Sequence, residues 1–370
     1  MNNIFDMSNE LGPFKIIHIH EPVSGLKAIL VIDNVAIGPS IGGIRLAPDV
    51  SVLEAVRLAR AMTLKNAAAG LRHGGGKTVI SADPQLSIEK KEQLIRTFAN
   101  AIRNETAYIP GPDMGTDEQC MAWIHDEIQR AVGLPREIGG IPLDEIGATG
   151  YGLSHAIDVA LEYCNLSIQG ARVVVQGFGS VGIHAARNLV DKGAVLVGAA
   201  DSRGSIYHAD GLDVDELSAL KAKGGALSDS QQGRKSDRDA VIDMECEIWI
   251  PAARPDVIHE GNVHRLQTKL VAQGANIPFT EKAEEILHQK GVLIIPDFIA
   301  NAGGVICAAV EYHGGTESAA LETIAEKIRC NTKLVLEQSV RSGIIPRKVA
   351  VDLALKRIRA AMKNRRLTLF

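Results

Sequence analysis

Two lysines twelve residues apart, Lys65 and Lys77, fall in the stretch Met62–Lys77, MTLKNAAAGLRHGGGK. Lys65 stands in a small-residue run of helical character, and Lys77 closes a triple glycine. Gly74, Gly75 and Gly76 lack a Cβ, so a loop built from them can take up φ > 0 and come close to a bound molecule. A lysine delivered by such a loop into a cramped site loses hydration. Its pKa then falls toward neutrality, where it serves as acid or base. The same residues also read as a surface helix with one solvated lysine, a glycine turn and a second lysine. Asp113 bears on that choice. It lies in the turn GPDMGT, and a carboxylate opposite a lysine of lowered pKa divides proton transfers between two groups. Taken alone, it equally suits a turn former or the acid at a helix start.

A second set of residues points to a dinucleotide. Gly177-Phe178-Gly179-Ser180-Val181-Gly182 has GxGxxG spacing, follows the apolar run ARVVVQ and opens a helical stretch. A further apolar run ends at Asp201, 19 residues after Gly182. That is close to the ~20 expected of an acid that bonds a ribose hydroxyl. Glycines let the backbone approach a pyrophosphate, and the helix N-terminus favours its charge. A carboxylate at 201 repels a 2′-phosphate and favours NAD. Ser202 and Arg203 follow it, and Arg203 is placed to soften that preference toward NADP. In PDFIANAGGVICAAVEY, the turn after an apolar run presents Asn301 to a ligand, or simply joins strand to helix.

The elements that must position these residues follow from pattern. FKIIHIH and LKAILVIDNVAI read as strands flanking the turn EPVSG. Gly38–Arg45, GPSIGGIR, packs three glycines and a proline into eight residues. The next stretch repeats apolar residues at helical spacing, with Ser51 as N-cap and Glu54 three residues on. KTVISADP predicts a strand and KEQLIRTFANAIRN an amphipathic helix. A strand, the turn carrying Asp113 and a helix beginning at Thr116 come next. The turn-rich connector Gly133–Gly152 marks a domain boundary. From Tyr151 the pattern changes to helix–strand alternation, which predicts a parallel sheet with helices on both faces. Two helical stretches, 316–341 and 347–365, close the chain, and the last is basic enough on one side to return to the first domain.

At 370 residues, two domains are expected. Apolar residues make up 46% and charged residues 23%, the balance of a globular protein. The net charge of −4 gives no reason to expect nucleic acid or an anionic membrane as partner, and aromatics at 4% argue against a base-stacking surface. Five widely spaced cysteines, with no CxxC pair or His/Cys cluster, support neither a disulfide framework nor a metal site. No run reaches the ~18 apolar residues of a membrane span. The opening MNNIFDMSNELGPF has neither a basic n-region nor an apolar h-region, so a cytoplasmic location is expected.

Taken together, SGLKAI, GPSIGGIRL, MTLKNAAAGLRHGGGKTVI, GPDMGT, ATGYG, VVVQGFGSVG, AQGAN and DFIANAGGV resemble, in order, the motifs of the glutamate/leucine/phenylalanine/valine dehydrogenases. The resemblance spans nearly the whole chain. It implies an α/β protein of two domains: an N-terminal substrate-binding and oligomerisation domain and a Rossmann-type doubly wound dinucleotide-binding domain. The expected division is 1–145, with 335–370 returning to it, and 146–334. It also implies reversible NAD(P)-dependent oxidative deamination of an L-amino acid to the 2-oxo acid and ammonium, in a homo-oligomer and in a cleft that closes to exclude water. By resemblance Lys65 grips the substrate α-carboxylate. Lys77 polarises the carbonyl and handles the water, and Asp113 exchanges a proton with the amino group. Thr149, Asn276 and Asn301 match positions near the nicotinamide carboxamide or the substrate.

Side-chain selectivity is where the chain departs from the glutamate enzymes. Those carry a lysine just before GGIR and a serine in the helix after NAGGV. Here Ile41, followed by Gly42, and Ala308 take those places. A glutamate bound there would bury a carboxylate without a partner, so an apolar substrate of leucine, valine or phenylalanine type is expected. Gly111 and Ala308 suggest a roomy pocket, and Val305 supplies a wall. Three other readings remain. One is a glutamate dehydrogenase that reads the side-chain carboxylate through Arg72 or His73. Another is a non-catalytic dinucleotide-binding protein. The third is a 2-hydroxy acid dehydrogenase, for which His184 and His313 lack an evident acidic partner.

Overall fold

A computed structural model describes residues 4–365, and the chain divides into two compact units. The first runs to Leu143 and takes in Val305–Ala320 and the segment from Val351 onward. The second comprises Asp144–Gly304 and Leu321–Ala350.

The first unit is built on a five-stranded sheet. Its strands are β1 (Lys15–Glu21), β2 (Leu26–Asn34), β3 (Ser40–Ala47), β4 (Gly74–Ser81) and β5 (Tyr108–Pro112), in the order β1-β2-β4-β3-β5. β1, β2 and β4 pair antiparallel, while β3 lies parallel to both β4 and β5. Side chains alternate across a strand, so register decides which residues share a face. Val31 pairs with Lys77, Ile41 with both Gly75 and Ile109, and Gly43 with Gly111. Lys77, Ile41, Gly43, Arg45 and Gly111 therefore project to one side. Helix α1 (Val52–Ala68) covers part of that side, packing Ala55, Val56 and Ala59 on Val31 and Val79. On the other side, Ile44, Leu46, Ile80 and Tyr108 meet Leu94, Phe98 and Met121 of α2 (Ile88–Ala101) and α3 (Glu118–Ile128). One face is core and the opposite face is left for chemistry.

The capping pattern read at Ser51 is present, its Oγ accepting from the Glu54 N–H at 3.2 Å. Three local expectations need correction. Gly74–Gly76 form no loop: they are the first residues of β4, and none has a positive φ. Close packing explains them, since a Cβ on Gly75 would lie 2.0 Å from the Thr63 nitrogen of α1. Thr116 does not start a helix; Asp117 caps α3, its side chain accepting from the Cys120 N–H. Helix α4 (Ala148–Cys164) begins inside the glycine-rich connector, three residues before Tyr151. Its Gly150 is needed for packing, because a Cβ there would lie 2.6 Å from the Ala185 nitrogen.

The second unit holds a seven-stranded sheet. Its strands are β6 (Arg172–Gln176), β7 (Val195–Asp201), β8 (Gly204–Tyr207), β9 (Arg234–Ser236), β10 (Ile248–Pro251), β11 (Leu270–Ala272) and β12 (Leu293–Ile295). The order is β12-β11-β10-β6-β7-β8-β9. The first five are parallel, as the alternation predicts, and β8 and β9 add an antiparallel edge that the pattern did not show. β6 leads through α5 (Ser180–Asp191) to β7 on one side, while β10 lies on its other side. That reversal makes a switch point at the carboxyl ends of β6 and β10, where open α/β sheets take ligands.

After α6 (Val214–Ala222) and α7 (Glu281–Gln289), four helices close the described chain: α8 (Asp297–Ala300), α9 (Gly303–Tyr312), α10 (Glu317–Ser342) and α11 (Pro346–Asn364). From Val351 onward the last belongs to the first unit, while 321–350 belong to the second. Arg357 Nη1 donates to the carbonyls of Ala67 and Ala68 at 3.0 and 2.6 Å, which places a cation at the C-terminal end of α1, where the Ala67 carbonyl also accepts from the Gly70 N–H. Among the described residues, no helix is long and apolar enough to cross a membrane.

Candidate active site

β4 delivers Lys77 to the open face of the first sheet, and the turn after β5 delivers Asp113. Lys77 Nζ lies 2.8 Å from Asp113 Oδ2. Arg45 of β3 donates to the same oxygen through Nε at 2.9 Å, and its Nη1 donates to Glu54 Oε1 at 2.7 Å. Burial lowers the Lys77 pKa, and Asp113 only partly opposes it. Burial works against the Asp113 carboxylate as well, but Lys77 and Arg45 outweigh it and hold its pKa below the usual value. A lysine whose pKa is lowered by burial thus stands against a carboxylate whose pKa is lowered by its two cations.

Two small residues set Asp113 in place. Thr116 Oγ1 accepts from the Asp113 N–H at 3.0 Å and donates to the Ile44 carbonyl at 2.8 Å, which ties the turn to β3. Gly43 leaves the room Asp113 needs, since a Cβ there would lie 2.7 Å from Asp113 Cβ. Lys65 sits half-buried in the last turn of α1. Its neighbour Asn66 donates to the Gly74 carbonyl at 2.6 Å, and Asn66 Oδ1 is buried with no hydrogen-bond partner among the described residues. Arg45, Thr116 and Asn66 were not singled out from the sequence. Arg45 ends the GPSIGGIR motif and was the one with a visible signal.

The positions expected to meet the substrate side chain are apolar. Ile41 and Ala308 are buried, at 3% and 6% exposure, and Val305 is half-buried. The room read from Gly111 is not there: Val132 Cγ2 lies 3.1 Å from where its Cβ would be. Val132 is held by its N–H bond to the Pro110 carbonyl at 2.9 Å. Gly42 projects to the opposite face from Lys77, against the Gly76 carbonyl, and its own carbonyl accepts from Tyr108 Oη at 2.7 Å. Neither alternative cation suits a buried carboxylate. Arg72 is exposed. His73 bonds the Pro39 carbonyl through Nδ1 at 3.0 Å and His313 Nε2 through its own Nε2 at 3.1 Å. Burial pushes its pKa down to about 4, so it stays neutral.

In the second unit the glycine loop joins β6 to α5. Gly177 has φ +102°, and a Cβ on Gly182 would lie 2.0 Å from the Gly177 carbonyl. Gly179 caps α5, and a Cβ there would meet nothing within 4 Å. The loop is open on that side, where first-turn N–H groups await an anion. The Phe178 ring is fully buried, so that residue offers only backbone. Ser180 Oγ donates to the Asp144 carbonyl at 3.0 Å, and Val181 is half-buried. Asn301 is buried and donates to Asn276 Oδ1 at 2.9 Å and the Gly274 carbonyl at 3.2 Å, leaving its Oδ1 without a partner. Gln176 Oε1, at the end of β6, is orphaned likewise. Thr149 lies half-buried in the first turn of α4, against Gly303. An open anion cradle with buried unpaired acceptors nearby fits a dinucleotide carrying a pyrophosphate and a carboxamide.

Asp201 departs from the expected picture of an available acid. Its Oδ2 accepts from Lys221 Nζ at 2.7 Å and the Leu227 N–H at 3.0 Å, and its Oδ1 from the Arg203 N–H at 2.8 Å. Burial raises its pKa, but Lys221 and the two N–H groups bring it below the usual range. The charge that favoured NAD is thus paired. Ser202 and Arg203 are exposed beside it, with Arg203 Nη2 on the Gly224 carbonyl. Lys221 lies 20 residues away in α6 (Val214–Ala222) and gave no signal in the sequence. Among the described residues, no group of three His, Cys, Asp or Glu is placed to hold a metal ion, and all five cysteines are unpaired.

A switch-point cradle for a dinucleotide and a desolvated Lys–Asp pair on a separate unit define a dinucleotide-dependent oxidoreductase. A model described as Glu/Leu/Phe/Val dehydrogenase, dimerisation domain, matches residues 13–130. One described as Glutamate/Leucine/Phenylalanine/Valine dehydrogenase matches residues 139–366. A glutamate dehydrogenase of Aeropyrum pernix is 38% identical over 361 residues, covering 90% of this chain and 85% of that protein. An NADP-specific glutamate dehydrogenase of Saccharolobus shibatae is 35% identical over 353 residues, 90% and 83% of the two chains. The hetero-hexameric glutamate dehydrogenase of Thermus thermophilus, in a leucine-bound structure, is similar at TM-score 0.86 and 29% identity, over 96% and 91%. The chain belongs to the glutamate/leucine/phenylalanine/valine dehydrogenase family and is an amino acid dehydrogenase.

Proposed function

We propose that the protein catalyses reversible NAD(P)-dependent oxidative deamination of an L-amino acid with an apolar side chain, giving the 2-oxo acid and ammonium. The observation that carries this reading is the 2.8 Å Lys77–Asp113 pair, on the same sheet face as a buried, uncharged Ile41.

The bound nicotinamide supplies the hydride acceptor for the substrate α-carbon. Lys65 holds the α-carboxylate, a fixed countercharge that orients the α-carbon. Asp113, ionised, takes a proton from the substrate ammonium, so that the amine nitrogen's lone pair can form the C=N bond as hydride leaves. Lys77, neutral, takes a proton from the water that attacks the imine carbon. Asp113 then returns its proton to the carbinolamine nitrogen and, ionised again, takes the hydroxyl proton as the carbonyl forms and ammonia leaves, while the Lys77 ammonium stabilises the developing oxygen. Asn301, with its orphaned Oδ1, and Asn276 suit the carboxamide, and the first turn of α5 suits the pyrophosphate.

A glutamate dehydrogenase is the second reading, favoured by the names of the relatives. Against it stand Ile41, Ala308, the exposed Arg72 and the neutral His73, none of which offers a buried cation. A homo-oligomer acting in the cytoplasm completes the proposal, and residues 13–130 match a model described as a dimerisation domain. The test is Lys77→Ala. Turnover is expected to vanish while NADH still binds; a variant that turns over as the parent does would overturn the assignment.

A further inference from the structure

The second cation on Asp113 has no role in the steps above. Arg45 and Lys77 both bond Oδ2, and among the described residues Oδ1 has no hydrogen-bond partner. The two cations differ in kind. A guanidinium keeps its proton at any ordinary pH, whereas a buried lysine gives its proton up. Each time Lys77 becomes neutral, Asp113 loses one countercharge while remaining largely buried, and a desolvated carboxylate without a cation takes up a proton.

We infer that Arg45 is a positioning residue: it is the permanent countercharge that fixes Asp113 through Oδ2 and keeps it ionised while Lys77 cycles, leaving Oδ1 to exchange the proton with the substrate nitrogen. Its own anchor is Glu54, in the first turn of α1, so β3 and α1 together hold the guanidinium fork. The inference rests on the proton roles proposed for Lys77 and Asp113. The charged and titratable groups around the pair include Arg45 from β3, Glu54 from α1 and Tyr108 from β5, and α1 carries Lys65 as well. Tyr108 has its phenol pKa raised by burial, with a smaller push from Asp113, and its hydroxyl is committed to Gly42 on the other face. Arg45 also repels the Lys77 ammonium, while Glu54 attracts it.

Removing Arg45 moves both proton affinities the same way. Asp113 loses an attraction and Lys77 loses a repulsion, so both pKa values rise. Because amino acid oxidation needs Lys77 neutral and Asp113 ionised, the acid limb of kcat/KM must move to higher pH. The experiment is the pH profile of amino acid oxidation by the parent, Arg45→Gln and Arg45→Lys, each checked for folding by thermal melt. Arg45→Gln should carry the acid limb alkaline by about one pH unit, a tenfold change in proton affinity. Arg45→Lys keeps the charge but not the fork, so its limb should stay while kcat falls roughly tenfold, the worth of one charge-assisted hydrogen bond. A limb unmoved in Arg45→Gln overturns the inference, as does parent-like kcat in Arg45→Lys, which decides the matter even if the glutamine variant does not fold. No amino acid oxidation by the parent would instead overturn the proposed function on which the inference rests.

Discussion

Asp113 stands over Gly43, so close that a Cβ on residue 43 would lie 2.7 Å from its own Cβ. The absence of a side chain on β3 therefore lets the carboxylate reach Lys77. The same Cβ would lie 2.7 Å from the Pro112 carbonyl oxygen, so Gly43→Ala should push both Asp113 and the end of β5 off their positions. Since a misplacement of about 1 Å at a reacting group costs on the order of 100-fold, kcat should fall by roughly that factor. Steady-state kinetics with a thermal melt checks it. Full activity in a folded variant would mean that Asp113 has freedom the packing denies.

The pair also sets a pH dependence. Lys77 has a lowered pKa because it is buried, and the proposed mechanism uses its neutral form in amino acid oxidation. Activity in that direction should therefore rise with pH through the lowered lysine pKa and level off above it. Asp113 has a depressed pKa, so its contribution to stability is complete above the unfolded-state value and is lost as pH falls through the folded one. On acidification, turnover should fail at the Lys77 titration, and the part of the stability that belongs to Asp113 should be lost only at lower pH. A kcat/KM profile measured beside melts at the same pH values separates the two, and coincident losses would contradict the assignment to Lys77.

Asp201 carries a paired charge, and that pairing predicts tolerance of a 2′-phosphate. Lys221→Met would leave the carboxylate uncompensated, and at the ribose position proposed for Asp201 it would repel a phosphate. The ratio of kcat/KM for NADH over NADPH should rise by about tenfold, most of it as weaker NADPH binding. An unchanged ratio would place the 2′-position away from Asp201.

Much of the site was legible because the chemistry is written in short motifs. Lys77, Asp113 and the glycine loop before α5 stood out as candidates in their motifs, the roles of the first two coming from the family resemblance, and the parallel sheet was readable from its alternation. What stayed hidden depends on neighbours distant in sequence. The triple glycine reads locally as a loop; only the approach of Thr63 on α1 makes it a strand that tolerates no side chain. Gly111 reads as open room until Val132, 21 residues on, is seen against it. Asp201 reads as a free ribose acid because nothing near it in the chain announces Lys221. Arg45 was in view within its motif, yet its role appears only when register sets β3, β4 and the turn after β5 on one face.

The central claim is an amino acid dehydrogenase whose side-chain pocket lacks a cation. The most direct test is NADH oxidation with ammonium and a pair of 2-oxo acids, 4-methyl-2-oxopentanoate and 2-oxoglutarate, with NADPH run in parallel. Burying an unpaired carboxylate costs several kcal/mol, so kcat/KM should favour the apolar acid by on the order of 100-fold or more. A preference for 2-oxoglutarate would contradict the apolar pocket and point to a cation that reaches the side chain past Ile41 and Ala308.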